Sequence, residues 1–343
     1  MRPLAWLTVL SVVATPLAAQ DYRLDLPWPS PHATVSQVVG LTTLAVDYHR
    51  PGVNGRVIWG GLVPYDTVWR AGANENTVLA STSPFTVGGV TLPAGRYGVF
   101  IIPGRESWTV ALSRQANAWG AFSYTPTEDA VRLVVRPRAN EYTERLAYTF
   151  DDPTDTGVTL TLRWEKLAVG VPIAINSDRV VLDSLASQLR NLPRFWAGAG
   201  EQAAAWALNN TDDVRMAGVW ADTAVALRPN FASYNIKAAV LAKEGRLAEA
   251  DSLRQAHLAT ATEPQLNAYG YQLLNERRTA EALAIFQRNA AAHPKSWNVW
   301  DSLGEGYAVA GEKAKAAESY RKALALAPPA QRQRIEGILA GLK

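Results

Sequence analysis

Residues Asp47 to Thr77 read DYHRPGVNGRVIWGGLVPYDTVWRAGANENT. Three arginines (Arg50, Arg56, Arg70), two tryptophans (Trp59, Trp69), five glycines and the polar run Asn74-Glu75-Asn76 share this stretch. Its apolar residues fall in short runs cut by Gly, Pro and Asn, the pattern of strands joined by tight turns rather than of helices. Immediately upstream, Leu44, Val46 and Tyr48 alternate with Thr43, Ala45, Asp47 and His49, the period of two that marks a strand with one buried face.

The same reading extends downstream. Strands are predicted over Thr77–Ser81, Tyr97–Ile102, Trp108–Ser113, Val131–Arg136, Arg145–Phe150, Val158–Trp164 and Val169–Ile175. Val87-Gly88-Gly89-Val90 and Pro103-Gly104-Arg105-Glu106 read as hairpin turns. Short strands at this spacing, with no helical period between them, predict an all-β sandwich or jelly-roll-like domain over 21–175. The run SQVVGLTTLAVDYHRPGVNGRVIWGGLVPYDTVWRAGANENT, then LPAGRYGVFIIPG and LRWEKLAV, resembles the domain-of-unknown-function family numbered 2911 from about Ser30 to Ile175. The resemblance implies an exported β-rich domain and names no substrate.

Within this domain Arg50, Arg56 and Arg70 each adjoin Gly, Pro or Trp at a strand end, where a rigid backbone can aim a planar guanidinium at an anion. Arg50, Arg56, Trp69, Arg70, Asn74 and Glu75 are therefore the candidate ligand-binding residues. The alternative is that Arg70 pairs with Glu75, and Arg50 with Asp47, to pin loops at the rim. Asp47, Asp66 and Glu75 offer carboxylates for a hydrolase, which needs two of them flanking the scissile bond. His32 and His49 are the only histidines of this half, too few for a three-histidine metal site, and His49 reads as a rim residue. FDDPTDTG (150–157) reads as a hairpin turn and not a calcium loop. Trp59, Trp69, Trp108, Trp119 and Trp164 read as core, with a sugar-stacking platform as the alternative.

Past Ile175 the period becomes 3.6. Asn176-Ser177-Asp178 supply N-cap candidates for a helix with Val181, Leu185, Leu189 and Leu192 on one face, ended by Pro193. Residues 176–200 are read as a linker helix and connector. Further on, Trp300, Leu303, Gly304, Tyr307, Ala316, Tyr320, Ala323 and Pro328 set a spacing that, 34 residues earlier, Leu266, Tyr269, Gly270, Leu273, Ala282, Phe286 and Pro294 repeat at every position but that of Ala323. A shortened copy carries Tyr234, Ala238, Leu241 and Ala250, and a degenerate one lies over Gln202–Pro229. This spacing resembles the tetratricopeptide (TPR) repeat, a stack of helical hairpins in which small residues admit neighbouring helices and aromatics fill the gaps. The array is assigned to 201–343, with a capping helix over Gln331–Leu342.

Projection of the repeat places Asn235, Asn267, Tyr271, Asn275, Asn298, Asp301 and Glu305 on the concave face, as candidates for contact with a protein or peptide partner. TPR arrays that grip a C-terminal carboxylate use Lys and Arg there, and this face shows amides and acids.

The chain has 343 residues, 48% hydrophobic and 19% charged, with a net charge of +3 and no cysteine. Two cores suit that length, acids interspersed with arginines argue against a nucleic-acid binder, and thiol chemistry is excluded. MRPLAWLTVLSVVATPLAAQ (1–20) has the order of a secretory signal peptide, positive, apolar, then small. The mature protein is expected to start at Gln20 or Asp21 in the periplasm or outside the cell. No metal or cofactor is expected. Together these readings favour an exported, non-catalytic binding and scaffolding protein, against an envelope-acting hydrolase or a purely structural envelope protein.

Overall fold

A computed structural model describes residues 26–342, so the expected signal peptide lies outside the described residues. Among these, no helix is long and apolar enough to cross a membrane. The chain divides after Ser177 into two compact units.

Among the described residues the first unit holds ten strands: β1 (His32–Val39), β2 (Thr42–His49), β3 (Thr77–Ser81), β4 (Phe85–Val87), β5 (Val90–Leu92), β6 (Gly95–Pro103), β7 (Trp108–Ser113), β8 (Asp129–Val135), β9 (Arg138–Thr154) and β10 (Gly157–Ala174). They form two antiparallel sheets, ordered β1-β2-β3-β6-β7-β8 and β5-β4-β10-β9. The predicted alternation holds along β2, where Thr42, Leu44, Val46 and Tyr48 are buried and Asp47 and His49 lie on the opposite, more exposed face. Both Gly-containing hairpins form: Val87 pairs with Val90 across Gly88 and Gly89, both in the left-handed region, and Pro103 pairs with Trp108. FDDPTDTG carries the end of β9, a two-residue turn at Asp155-Thr156 and the first residue of β10, with Thr154 opposite Gly157. Val158–Trp164 and Val169–Ile175, read as separate strands, are one 18-residue strand, β10, reaching Ala174. The register shifts on both sides of Glu165, whose φ is +54°; this bulge bends the strand without ending it.

One interruption shapes the rim. Trp69 bridges Ile101 of β6, and Thr77 of β3 pairs with Val99. Eight steps of chain on one side thus oppose two on the other, and Arg70–Asn76 is thrown out of the sheet as a loop.

The second unit has α1 (Ser177–Gln188) and four helical hairpins: α2 (Ala197–Asn210) with α3 (Val214–Leu227), α4 (Phe231–Lys243) with α5 (Leu247–His257), α6 (Glu263–Asn275) with α7 (Thr279–Ala292), and α8 (Trp297–Val309) with α9 (Lys313–Leu326). It ends in α10 (Pro329–Gly341), so the expected cap begins two residues early. The apolar face of α1 is Leu182, Leu185, Ala186 and, just beyond the helix, Leu189, packed with Ala203, Ala207 and Trp220 of α2 and α3. Hence α1 belongs to the helical core and not to a free linker. Leu192, expected on that face, is 70% exposed, because the chain tightens into a 3-10 turn over Leu192–Phe195 and the α-helical period is lost.

The repeat positions act as their chemistry requires. A Cβ on Gly270 would lie 2.4 Å from Cε1 of Phe286, which is fully buried. Gly270→Ala should therefore destabilise the helical unit by about 1–2 kcal/mol, overpacking outweighing the gain in helix propensity. On α10 a Cβ at Gly337 meets nothing within 4 Å, and Gly337→Ala should stabilise by about 0.5–1 kcal/mol. Urea melts followed by far-ultraviolet circular dichroism check this opposition of sign; two changes of the same sign would contradict the packing account.

Candidate functional site

The Arg70–Asn76 loop is built from the inside out. Ala71 is fully buried with φ +56°, a conformation that costs a non-glycine residue about 1–2 kcal/mol. Its carbonyl is held twice, accepting from the Thr77 hydroxyl at 3.0 Å and the Tyr148 phenol at 2.9 Å. Tyr148 comes from β9 in the other sheet, and burial pushes its phenol well above the usual tyrosine range, so it stays a donor. The Trp69 indole N–H donates to Gly72 O at 3.0 Å, and Thr77 N donates to Arg70 O at 3.3 Å. Asn74 is also left-handed at φ +56°. Gly120 N donates to Asn74 O at 3.2 Å, Asn76 N donates to Ala118 O at 3.0 Å, and Glu75 bridges Trp119. These contacts fasten the loop to the segment after β7.

What the loop presents is a cation without a counter-ion. Arg70 is half-buried, its Nε is inaccessible and without a hydrogen-bond partner, and no carboxylate lies within ion-pairing distance among the described residues. Burial lowers its affinity for its proton, and the charge of Glu75 opposes that shift only in part. Its guanidinium lies 5.8 Å from the ring centroid of Trp119, within cation–π reach. Phe122 is within 13° of parallel to Trp119, with centroids 6.0 Å apart; Trp119 is 59% exposed and Phe122 85%.

Neither expected ion pair forms. Glu75 stands 2.9 Å from Nε2 of His49. The Nδ1 of His49 lies 2.9 Å from Ser30 O and 3.0 Å from the side-chain amide of Asn74. His49 is therefore no passive rim residue but the clamp that fixes Asn74 and Glu75. Asp47 accepts from Thr34 at 2.6 Å and is 3.8 Å from Arg96. Arg50 donates its Nε to Leu146 O at 3.0 Å, and Arg56 turns back on Val53 O and Gly52 O. Trp69 packs with Trp59 and Trp164, and Trp59 packs with Trp108 in turn. Of the six ligand candidates, the structure gathers Arg70, Asn74 and Glu75, and spends Arg50, Arg56 and Trp69 on holding the chain. Trp108 and Trp164 are buried as predicted, Trp59 and Trp69 are half-buried against them, and Trp119 is the exposed exception.

As for the hydrolase carboxylates, Asp66 sits in a turn and its N–H donates to Pro103 O, whereas Glu75 lies in the loop bridged to Trp119. Trp119 is among the tryptophans named for a sugar-stacking platform, but Phe122 and its pairing with Trp119 are not read from the sequence; the aromatic-glycine run Trp119-Gly120-Ala121-Phe122 in a region without strand period is their signal.

In the helical unit a groove of about 1090 Å³ runs along α2, α4 and α6. Asn235, Tyr271 and Asn275 line it; Asn267, Asn298, Asp301 and Glu305 are not among its lining residues. Asp301 is buried and bound to Arg334 of α10 at 2.9 Å, so it docks the cap. Glu305 accepts from the Tyr271 hydroxyl at 2.7 Å, and Asn298 is half-buried at the start of α8. Asn267 has a buried Oδ1 without a hydrogen-bond partner. Asn235 is partly engaged, donating to Gln272 at 2.9 Å and accepting from Arg254 at 3.0 Å, and Arg254 also binds Asp251. Lys243 and Arg254 are the cations lining the groove, and Arg254 is 3% exposed.

Residues 30–173 match the family described as "Protein of unknown function (DUF2911)". The DUF2911 segment spans the β-domain from just before β1 to one residue short of the end of β10. A comparison of the sequence with curated proteins finds no match. Among solved structures, the helical part is similar to PilF of Pseudomonas aeruginosa (22% identity, 43% of this chain and 67% of that one, TM-score 0.32). It is also similar to the C-terminal part of a TPR repeat-containing protein of Cytophaga hutchinsonii (20%, 44% and 59%, 0.30). A third similar structure is a thermophilic TPR protein of Thermus thermophilus (19%, 48% and 90%, 0.34). The TPR-like assignment of the second half rests on its own 34-residue period and its four hairpins.

Two substitutions probe the loop. Tyr148→Phe removes one donor to Ala71 O and should cost the β-domain about 1 kcal/mol, read as a lower urea midpoint in tryptophan fluorescence. Arg70→Met keeps the aliphatic stem and deletes an unpaired cation, so stability should stay within about 0.5 kcal/mol of the parent or rise. A loss above about 2 kcal/mol would show that Arg70 is structural.

Proposed function

We propose that this is an exported, non-catalytic binding and scaffolding protein whose helical groove takes an extended peptide segment of a protein partner and whose Arg70 loop holds a polar or anionic ligand. The observation that carries the reading is the groove along α2, α4 and α6. Its lining mixes apolar side chains, Ala205, Ile236, Ala239 and Ala268 among them, with the amides Gln202, Asn209, Gln265, Gln272 and Asn275. Amides offer donor and acceptor together and so suit the alternating N–H and C=O of an extended backbone. With Arg254 committed to Asn235 and Asp251, Lys243 is the remaining cation and shares the lining with Glu201 and Glu276, so the groove favours an internal, weakly charged segment over a carboxylate terminus. Export rests on the order of features in residues 1–20.

Panning a peptide display library on the full chain, followed by fluorescence anisotropy of the enriched peptides, tests this. Ala268 lines the groove without being buried, so Ala268→Arg should leave the fold intact and weaken those peptides at least tenfold. Peptides that bind Ala268→Arg as well as the parent, or no enrichment at all, would remove the groove from the function. For export, the chain recovered from a fractionated cell should begin at Gln20 or Asp21.

A further inference from the structure

The Arg70 loop lies beside an aromatic surface that comes from a different part of the chain. Trp119 and Phe122 present nearly parallel, exposed rings next to a half-buried guanidinium. Gly120 makes that closeness possible. Its φ is +76°, and a Cβ there would stand 2.9 Å from the Phe122 ring and 3.5 Å from Nη1 of Arg70. Across the loop, the Glu75 side chain is 53% exposed, and its Oε2 faces His49.

Each group restricts the ligand. With its Nε inaccessible and without a partner, and no carboxylate in ion-pairing reach among the described residues, the Arg70 guanidinium keeps its two Nη groups for an external anion. Glu75 acts on the same guanidinium, so a dianion such as phosphate meets an opposing charge that a single carboxylate meets only half as strongly. The carboxylate of Glu75 is also an acceptor for hydroxyl donors. The stacked, exposed Trp119–Phe122 pair offers a flat apolar outer ring face, matched by the C–H face of a pyranose, which makes weak contacts to aromatic rings. From this combination we infer that the patch binds an acidic sugar of the uronate class, with its ring on Trp119 and Phe122, its carboxylate on Arg70 and a ring hydroxyl on Glu75. The inference rests on the anion-binding reading of the same loop and narrows it to one chemistry.

The test is calorimetric titration of the full-length protein with glucuronate and galacturonate trisaccharides, the matching neutral glucose and galactose trisaccharides, and benzoate. The expected result is binding of at least one uronate trisaccharide, at least tenfold weaker binding of its neutral counterpart, and at least a tenfold loss on Arg70→Met and on Trp119→Ala with unchanged melting curves. Neutral sugars binding as well as uronates, or a uronate affinity indifferent to Trp119→Ala, would overturn the assignment. Benzoate binding that is lost in Arg70→Met, with no uronate binding, would reject the sugar and keep the anion site. If none of the probes binds, the anion site falls with it.

Discussion

The carbonyl of Ala71 is the point on which the rim of the β-domain depends. It belongs to a residue in a left-handed conformation, buried completely, and it is kept there by a hydroxyl six residues along the chain and a phenol from the opposite sheet. Two donors on one acceptor offset a backbone cost of comparable size. Because Tyr148 is itself wedged against Tyr48, with ring centroids 4.9 Å apart, the loop is referred to both sheets at once. Arg70, Asn74 and Glu75 inherit their positions from that anchorage and need no mutual ion pair.

The helical unit solves a different problem with smaller means. Each hairpin has too little apolar surface to fold alone, and the interface between hairpins supplies the rest. Gly270 against Phe286 and Gly304 against Tyr320 are close approaches of helix backbone to ring. Along the groove, polar contacts link hairpins in the same way: Asn235 of α4 reaches Gln272 of α6, and Asp251 of α5 takes both Arg254 and Arg278. Such cross-links fix the spacing of the lining residues, which is what a groove needs in order to recognise anything.

How much of this was legible in the sequence follows from the range of each interaction. Alternation along Thr42–His49, the Gly-Gly hairpin and the 34-residue period are local or repeated signals, and each survives folding unchanged. The partners of charged side chains are not local. Glu75 is five residues from Arg70 yet pairs with His49, because the left-handed turns at Ala71 and Asn74 rotate it towards β2. Asp47 likewise turns to Thr34 on the neighbouring strand and not to Arg50 nearby in sequence, since register across a sheet outweighs proximity along the chain. Trp119 and Phe122 joined the loop through Gly120 N and Asn74 O, a contact between segments 46 residues apart that no period announces.

The excursion between Trp69 and Thr77 also separates two duties that a strand ordinarily combines. Pairing to β6 is broken off at Ile101 and taken up again at Val99, so the sheet keeps its in-and-out alternation whatever the intervening residues do. A change at Arg70, Asn74 or Glu75 alters the chemistry on display and leaves the ladder beneath it in register. The sandwich is in this sense a mount with an exchangeable tip: new specificities can be written into the tip, by drift or by design, provided that the residue at position 71 still offers its carbonyl to Thr77 and Tyr148.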